Sequence, residues 1–241
     1  MGEKNNIKSP SRRRFLQCSV TLIPLAVTGS NLLSNRASAE SEINHGITAD
    51  YVPSFFNKDE WRFILAAVDR LIPADHLGPG GVSEGVPEFI DKQMELPYGY
   101  GHLWYMQPPF VPGAPEMGYQ SSLVPRETYR RGIQAINHHC RNVFLRPFDA
   151  LSHNQQESVL RRLEKGALQL EGVPATIFFS QLLENTHEGY LADPLHGGNQ
   201  TLASWKMIGF PGARADFPQV MDNPDKPYLT GPVSISGRRS S

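Results

Sequence analysis

The chain has 241 residues, of which 39% are hydrophobic and 20% are charged, and its formal net charge at pH 7 is −1. Six of the 23 basic residues and one of the 24 acidic residues lie in residues 1–39, so residues 40–241 hold 17 basic and 23 acidic residues, a net charge of −6. This balance excludes a typical nucleic-acid binder and disfavours electrostatic adsorption to anionic membranes. Residues 40–241 are numerous enough for one domain with a sizeable core.

Residues 1–39 contain the three parts of an export signal in their usual order. A basic part comes first, an apolar run follows in residues 18–33, and the small-x-small site Ala37-Ser38-Ala39 ends the segment. The apolar run is too short and too polar for a membrane span, which needs about 20 apolar residues. The pattern predicts a signal peptide whose cleavage site is marked by Ala37 and Ala39.

The basic part has a more specific feature. Arg12 and Arg13, followed by Phe15 and Leu16, resemble the twin-arginine signal consensus. This route exports proteins that have already folded, so its substrates carry a cofactor loaded inside the cell or travel with a partner that does. We therefore predict a periplasmic localisation and the twin-arginine translocase as a partner.

The residues after position 39 show no pattern of a cofactor site. Cys140 is the only cysteine that remains once Cys18 leaves with the leader, so neither an internal disulfide nor an iron–sulfur cluster is expected. The glycine-rich stretches 78–81 and 197–198 lack the strand–G-x-G-x-x-G–helix context of a dinucleotide site. We predict no cofactor in this chain, which favours a chain that accompanies a cofactor-bearing partner.

Helical periodicity and capping signals predict an all-α fold. Asn57 and Glu60 form a capping box ahead of an amphipathic pattern that Pro73 ends, and Ser152 with Gln155 forms a second one. Helices are expected at about residues 58–72, 87–96, 125–144, 153–165 and 174–188. The prediction is a single, small, irregular helical domain over residues 40–241, with long Pro-, Gly- and aromatic-rich loops and an extended tail from Phe217.

The longest predicted loop is unusually aromatic. Residues 97–125 contain six prolines, four glycines and six aromatic residues, among them Tyr98, Tyr100, Trp104 and Tyr105. Such a segment cannot form a regular helix, yet its composition is not that of a disordered linker. Its aromatic residues are candidates for a partner interface, and the alternative is that the loop packs on its own domain.

A second distinctive stretch lies at residues 186–213. It combines the turn residues Gly197, Gly198 and Asn199 with the motif Trp205-Lys206-Met207-Ile208-Gly209-Phe210-Pro211. Glycine allows close approach of the backbone, and Trp and Phe anchor many interfaces. Candidate interface residues are Gly197, Gly198, Asn199, Trp205, Lys206, Phe210 and Pro211, and the alternative is a locally packed end of the helical domain.

The sequence contains no convincing catalytic or metal-binding pattern. His187-Glu188 lacks the second His of a metalloprotease helix, and His138 and His139 diverge by about 100° on a helix. We predict no catalytic, cofactor-binding or metal-ligating residue. Two alternatives remain: a free-standing periplasmic enzyme that uses His187, Glu188 or Asp193, and a sugar-binding module that uses the aromatic residues 98–119.

Several pieces in order resemble the gluconate 2-dehydrogenase subunit 3 family. They are the twin-arginine leader, "FFNKDEWRFILAAVDRLIPAD" (55–75), "GYQSSLVPRETYRRGIQAIN" (118–137) and "ADPLHGGNQTLASWKMIGFPGA" (192–213). The last piece is the most specific, through its ADP-x-x-GGN and WK-x-IGFPG elements. The first of the three mature pieces begins at residue 55 and the last ends at residue 213.

The resemblance implies the small subunit of a membrane-associated dehydrogenase of sugars or polyols. In such a complex, a large subunit carries FAD and oxidises the sugar, and a cytochrome subunit with haem c passes electrons to quinone. The small subunit holds no redox centre and is expected to escort the large one through the twin-arginine pathway. This expectation agrees with a chain that has an export signal for folded proteins and no cofactor site of its own.

Overall fold

The computed structural model describes residues 51–111, 113–215, 221 and 230–239. All of these residues belong to one compact unit. The leader residues Arg12, Arg13, Phe15, Leu16, Ala37 and Ala39 lie outside the described part of the chain.

The described residues form six α-helices and no strand, which confirms the all-α prediction. The helices are α1 Lys58–Leu71, α2 Val86–Met94, α3 Pro125–Phe144, α4 His153–Glu164, α5 Ala175–Leu191 and α6 Ala203–Ile208. Three single 3-10 turns, Pro115–Met117, Phe148–Ala150 and Pro194–His196, lie between them. No helix in the described ranges has the length and apolarity that a membrane crossing requires.

Helix α1 begins where its sequence predicts. The Asn57 side chain accepts from the backbone N–H groups of Asp59 and Glu60, and the Glu60 carboxylate accepts from the Asn57 N–H. This capping box satisfies N–H groups that the first helical turn leaves without partners. The helical spacing of Trp61, Ile64, Leu65 and Val68 predicts that they share the core face of α1. Phe63 and Ile64 are fully buried, whereas Trp61 is only half-buried, so this face is rotated toward Phe63.

Helix α5 lies at the centre of the domain and packs against α2, α3 and α4. Phe178 of α5 contacts Phe63 of α1 and Tyr129 of α3, with ring centroids 6.0 and 6.1 Å apart. Gly132 of α3 faces the Phe178 ring, where a Cβ on Gly132 would lie 2.0 Å from the ring, so a glycine is required for the close approach of these helices. The aromatic core thus fixes the arrangement of α1, α3 and α5.

The segment that precedes α1 is held by a single buried carboxylate. Asp91 of α2 is fully buried, and its Oδ1 accepts from the N–H groups of Phe55 and Phe56, at 3.0 and 2.9 Å. Its Oδ2 accepts from the Ser54 N–H at 2.7 Å, the Ser54 hydroxyl at 3.0 Å and the Tyr51 hydroxyl at 2.8 Å. These five hydrogen bonds fasten residues 51–56 to α2 and compensate the cost of burying the charge.

Cys140 occupies the buried face of α3, and its side chain is fully enclosed. Burial raises the pKa of its thiol to about 11. We expect alkylation of the folded Cys18→Ser chain at pH 8 to be at least about a hundredfold slower than alkylation in urea, because the thiolate is the reactive form. Equal rates in the two states, measured by mass spectrometry, would contradict this assignment of Cys140 to the core.

Candidate functional site

Residues 192–215 and 230–239, the C-terminal lobe, close over the carboxyl end of α5. Asp193 joins the two parts of the lobe: its Oδ1 accepts from the Leu195 N–H at 3.0 Å and its Oδ2 from the Ile235 N–H at 2.7 Å. The Val233 N–H donates to the Pro211 carbonyl at 3.2 Å, and the Val233 carbonyl accepts from the Ala213 N–H at 2.7 Å. The described tail, residues 230–239, therefore folds back on the lobe.

The predicted interface residues Gly197, Gly198 and Asn199 are buried within the lobe. A Cβ on Gly198 would lie 1.9 Å from the carbonyl oxygen of Gly189 in α5, so the two backbones are in direct contact. The Asn199 side chain donates to the Ala192 carbonyl at 3.0 Å and accepts from the Ser204 hydroxyl at 2.7 Å. Gly198 lies against α5, and Gly197 faces Phe89 and Lys92 of α2. Asn199 connects segments of the lobe, and a direct contact of these three residues with a partner stays a prediction.

A second buried carboxylate, Glu84, connects the lobe to the loop ahead of α2. It accepts from the Thr201 hydroxyl at 2.6 Å and from the Thr201 N–H at 3.0 Å, and its own carbonyl accepts from the Gln200 N–H at 3.2 Å. Gln200 in turn accepts twice from Arg238. These bonds fix the lobe to the loop ahead of α2 and its two parts to each other.

Trp205 of α6 is an internal anchor of the lobe. It is buried, and its indole N–H donates to the Leu191 carbonyl at the end of α5, at 2.8 Å. Phe210 packs edge-on against it, with ring centroids 4.9 Å apart, yet leaves 45% of its own surface exposed. Lys206 is exposed and Pro211 half-buried.

The lobe and the last residue of α5 carry exposed apolar side chains. We call this set the C-terminal patch, and its members are Leu191, Leu195, Met207, Ile208, Phe210 and Ile235. The hydrogen bonds of Asp193 and Trp205 tie the segments that carry these side chains to one another. Exposed apolar surface on a well-fixed scaffold is typical of a protein interaction site.

The aromatic loop has an inner part that packs on its own domain. The Trp104 ring lies between Tyr98 and Tyr119, with centroid distances of 5.6 and 4.6 Å. The Asn185 side chain of α5 bonds to the hydroxyls of both Tyr98 and Tyr129, and burial raises the pKa of Tyr98 to about 12. Because Tyr98 and Trp104 are engaged here, they do not form an open platform for a sugar ring.

The outer part of the loop faces away from the domain. Tyr100 stacks beside His102 and lies under the Arg126 guanidinium, whose carbon is 4.2 Å from the ring centroid. Tyr105 is 86% exposed. Of the four aromatic interface candidates, Tyr100 and Tyr105 are therefore accessible, and Tyr98 and Trp104 are half-buried.

The candidate catalytic residues His187, Glu188 and Asp193 do not face one common site as an acid–base pair would. Both carboxylate oxygens of Asp193 accept backbone N–H groups, while His187 and Glu188 lie on the exposed side of α5, where Glu188 accepts from Asn185. His138 and His139 point apart, toward Asn142 and Arg162. Among the described residues, no three His, Cys, Asp or Glu side chains lie close enough together to hold a metal ion.

Two shallow grooves are present on the described surface, of about 520 and 260 Å3. The larger follows the outer face of α4 from Asn154 to Lys165, and the smaller lies between Phe55 and the α3 residues Arg126 and Arg130. Polar and charged side chains form most of the lining of both grooves, and Ser158, in the larger groove, forms no hydrogen bond to a base among the described residues.

Comparison with known families agrees with the sequence motifs. The family model for gluconate 2-dehydrogenase subunit 3 matches residues 58–212. The chain belongs to the gluconate 2-dehydrogenase subunit 3 family. Searches of curated proteins and of solved structures gave no match.

The matched range shows which parts of this subunit 3 chain are common to its family. It begins at the first residue of α1 and ends at Gly212, so it includes the aromatic loop and the first part of the C-terminal lobe. Residues 51–56 and the described tail lie outside it. The family name describes a subunit, so the chain is one part of a multi-subunit assembly.

Three structural residues are not singled out by the sequence patterns. Asp91, Glu84 and Asn185 each bond to groups far away in the chain, up to 117 positions in the case of Glu84 and Thr201. Their sequence surroundings are those of ordinary polar residues on or beside helices. No local signal distinguishes a buried carboxylate from an exposed one when its donors come from another segment.

Proposed function

We propose that this chain is the non-catalytic small subunit of a gluconate 2-dehydrogenase-type complex that oxidises a sugar, aldonate or polyol. It binds the large flavoprotein subunit, which carries FAD, and escorts it through the twin-arginine translocase to the periplasm. A cytochrome subunit with haem c accepts the electrons, and the complex keeps the chain at the membrane. Membership in the subunit 3 family supports this proposal.

The observation that carries the proposal is the C-terminal patch. Five large apolar side chains of the lobe and Leu191 at the end of α5 are exposed; Asp193 and Asn199 bond the segments of the lobe to one another, and Trp205 bonds the lobe to α5. A rigid apolar surface loses little conformational entropy on association, so most of its burial energy contributes to affinity. Phe210, which rests on the buried Trp205 ring, is the expected centre of the interface.

The leader supports the escort part of the proposal. Arg12 and Arg13 direct export of folded proteins, and a flavoprotein must fold around FAD before it leaves the cytoplasm. A small subunit with this signal, bound to a large subunit without one, would export both. The sugar specificity then belongs to the large subunit.

Affinity purification of the chain, tagged after Ser241 and expressed with its large subunit, tests the binding step. We expect a second, larger subunit with the absorbance spectrum of a flavin in the eluate. The double variant Ile208→Asp and Phe210→Asp is expected to reduce recovery of the flavoprotein by about tenfold or more, because charge is placed in the apolar contact. Val143→Asp, at an exposed apolar position on α3, is the matched control. A colourless wild-type eluate would refute the proposal.

Cell fractionation tests the escort step separately. With wild-type chain, the large subunit is expected in the periplasmic and membrane fractions. With Arg12→Lys and Arg13→Lys together, both subunits should remain in the cytoplasm, still bound to each other. Export of the large subunit in cells that lack this chain would eliminate the escort role and leave the binding role intact.

A further inference from the structure

The aromatic loop differs in charge from the rest of residues 40–241. No Asp, Glu, Lys or Arg occurs between Glu95 and Glu116, a stretch of 20 residues in a chain of which 20% is charged. Large apolar side chains of this stretch are exposed to solvent, including Leu103 at 69%, Tyr105 at 86% and Val111 at 60%. The stretch is therefore an exposed apolar surface with no formal charge.

Part of the backbone of this stretch does not need water as a hydrogen-bond partner. Five of its 20 residues are prolines, which have no N–H. The N–H groups of Gly99, Gly101, His102 and Trp104 donate to carbonyl groups of the same loop. The N–H groups of Leu103, Tyr105 and Val111 have no such partner among the described residues, so they suit the hydrated headgroup region of a bilayer and not its hydrocarbon core.

Charged groups are confined to the base of the loop. The Arg126 N–H donates to the Gly99 carbonyl, its guanidinium covers the Tyr100 ring, and it is bonded to the Met94 carbonyl at 2.9 Å and to Glu95 at 3.3 Å. The nearby arginines also have acidic neighbours: Arg130 bonds to Glu60, and Arg131 lies 3.9 Å from Glu127. The exposed part of the loop thus has no charge, and the charged side chains at its base are paired, so their charges nearly cancel. This arrangement suits a segment that enters a bilayer only to the headgroup boundary.

We propose that the exposed side chains of residues 102–111 insert into the interface of a lipid bilayer, with Leu103, Tyr105 and Val111 among them. Tyrosine favours this region, where an apolar ring and a polar group are both accommodated. The inference does not depend on the proposed flavoprotein partner, since it concerns a different surface.

The net charge of residues 40–241 is −6, so long-range attraction to anionic lipid does not supply the affinity. Burial of apolar side chains supplies the affinity. Binding is therefore expected on neutral phosphatidylcholine vesicles as well as on vesicles that contain phosphatidylglycerol, with less than about a twofold loss at high salt. Strong salt dependence, or binding to anionic vesicles only, would overturn the proposal.

Vesicle flotation of the full chain tests the loop directly. The double variant Leu103→Asp and Tyr105→Asp is expected to lower the partition coefficient by at least about tenfold. Met207→Asp in the C-terminal patch is the matched control and should float as wild type does. All variants share residues 1–50, so a difference between them reports the loop. Equal flotation of the loop variant and wild type would overturn the proposal, as would a wild type that does not float.

Two further readouts separate a lipid from a protein partner. Tyr105→Trp places an indole at the exposed tip, and brominated phosphatidylcholine should quench its fluorescence in vesicles. The loop variant should still recover the flavoprotein in the affinity purification. If it loses the flavoprotein and its flotation is unchanged, the loop is a protein interface and the lipid proposal is wrong, while the proposed subunit function stands.

Discussion

Replacing Asp91 with asparagine is expected to lower the free energy of unfolding by about 3 kcal/mol. The carboxylate is fully buried and accepts five hydrogen bonds, from Tyr51, Ser54, Phe55 and Phe56. The amide of asparagine has one acceptor oxygen. Its NH2 group would replace the other carboxylate oxygen and would face the N–H or O–H groups that now donate to that oxygen. Urea denaturation followed by circular dichroism measures the change.

The control for Asp91 is Glu95→Gln, one turn further along the same segment. Glu95 is partly exposed and forms a 3.3 Å ion pair with Arg126. Exposed ion pairs contribute about 0–1 kcal/mol, so this variant should unfold close to wild type. Proteolysis should also distinguish the two variants, because only the loss of the Asp91 bonds frees residues 51–56. A stability for Asp91→Asn equal to that of Glu95→Gln would show that the five bonds contribute no net stability.

The second large effect is expected for Gly198→Ala. The added methyl group would lie 1.9 Å from the Gly189 carbonyl oxygen. The backbone fixes the positions of both the Cβ atom and the carbonyl oxygen, so neither can turn away as the end of a long side chain would. We expect a loss of about 2–4 kcal/mol and separation of the C-terminal lobe from α5. Hydrogen exchange should show faster exchange at Ile235, whose N–H bonds to Asp193 within the lobe.

Gly78→Ala is the matched control for this variant. A Cβ on Gly78 would meet only the Tyr190 hydroxyl, at 3.7 Å, which is an ordinary contact. Replacing a glycine at a compatible position changes stability by less than about 1 kcal/mol. If Gly198→Ala matched Gly78→Ala in stability and in exchange at Ile235, the close approach of lobe and α5 would not determine the fold of this region.

Local chemistry is sufficient to predict most helices. The capping box of Asn57 and Glu60 marks the start of α1, Pro125 marks the start of α3, and Ser152 with Gln155 marks α4, whose capping box is formed. Helix α5 extends three residues beyond its expected end, and α6, with six residues, is not predicted by the sequence pattern. The α6 helix has too few residues for a periodic pattern and depends on the burial of Trp205.

The roles of the site residues are harder to predict, because interfaces and cores select the same residue types. Gly197, Gly198 and Trp205 are interface candidates by composition, and the structure places them inside the lobe. Phe210 and Tyr105 are candidates on the same grounds and are exposed. Only the packing of distant segments distinguishes the two groups, and a local pattern contains no information on that packing.

The bond between Asp193 and Ile235 also determines when folding is complete. A nascent chain leaves the ribosome with its amino-terminal end first. The residues that bond to Asp193, Gln200 and Pro211 lie at positions 230–239, so they emerge after their partners. The C-terminal lobe is therefore completed only after residues 230–239 have emerged, and residues 192–215 lack part of their surroundings until then.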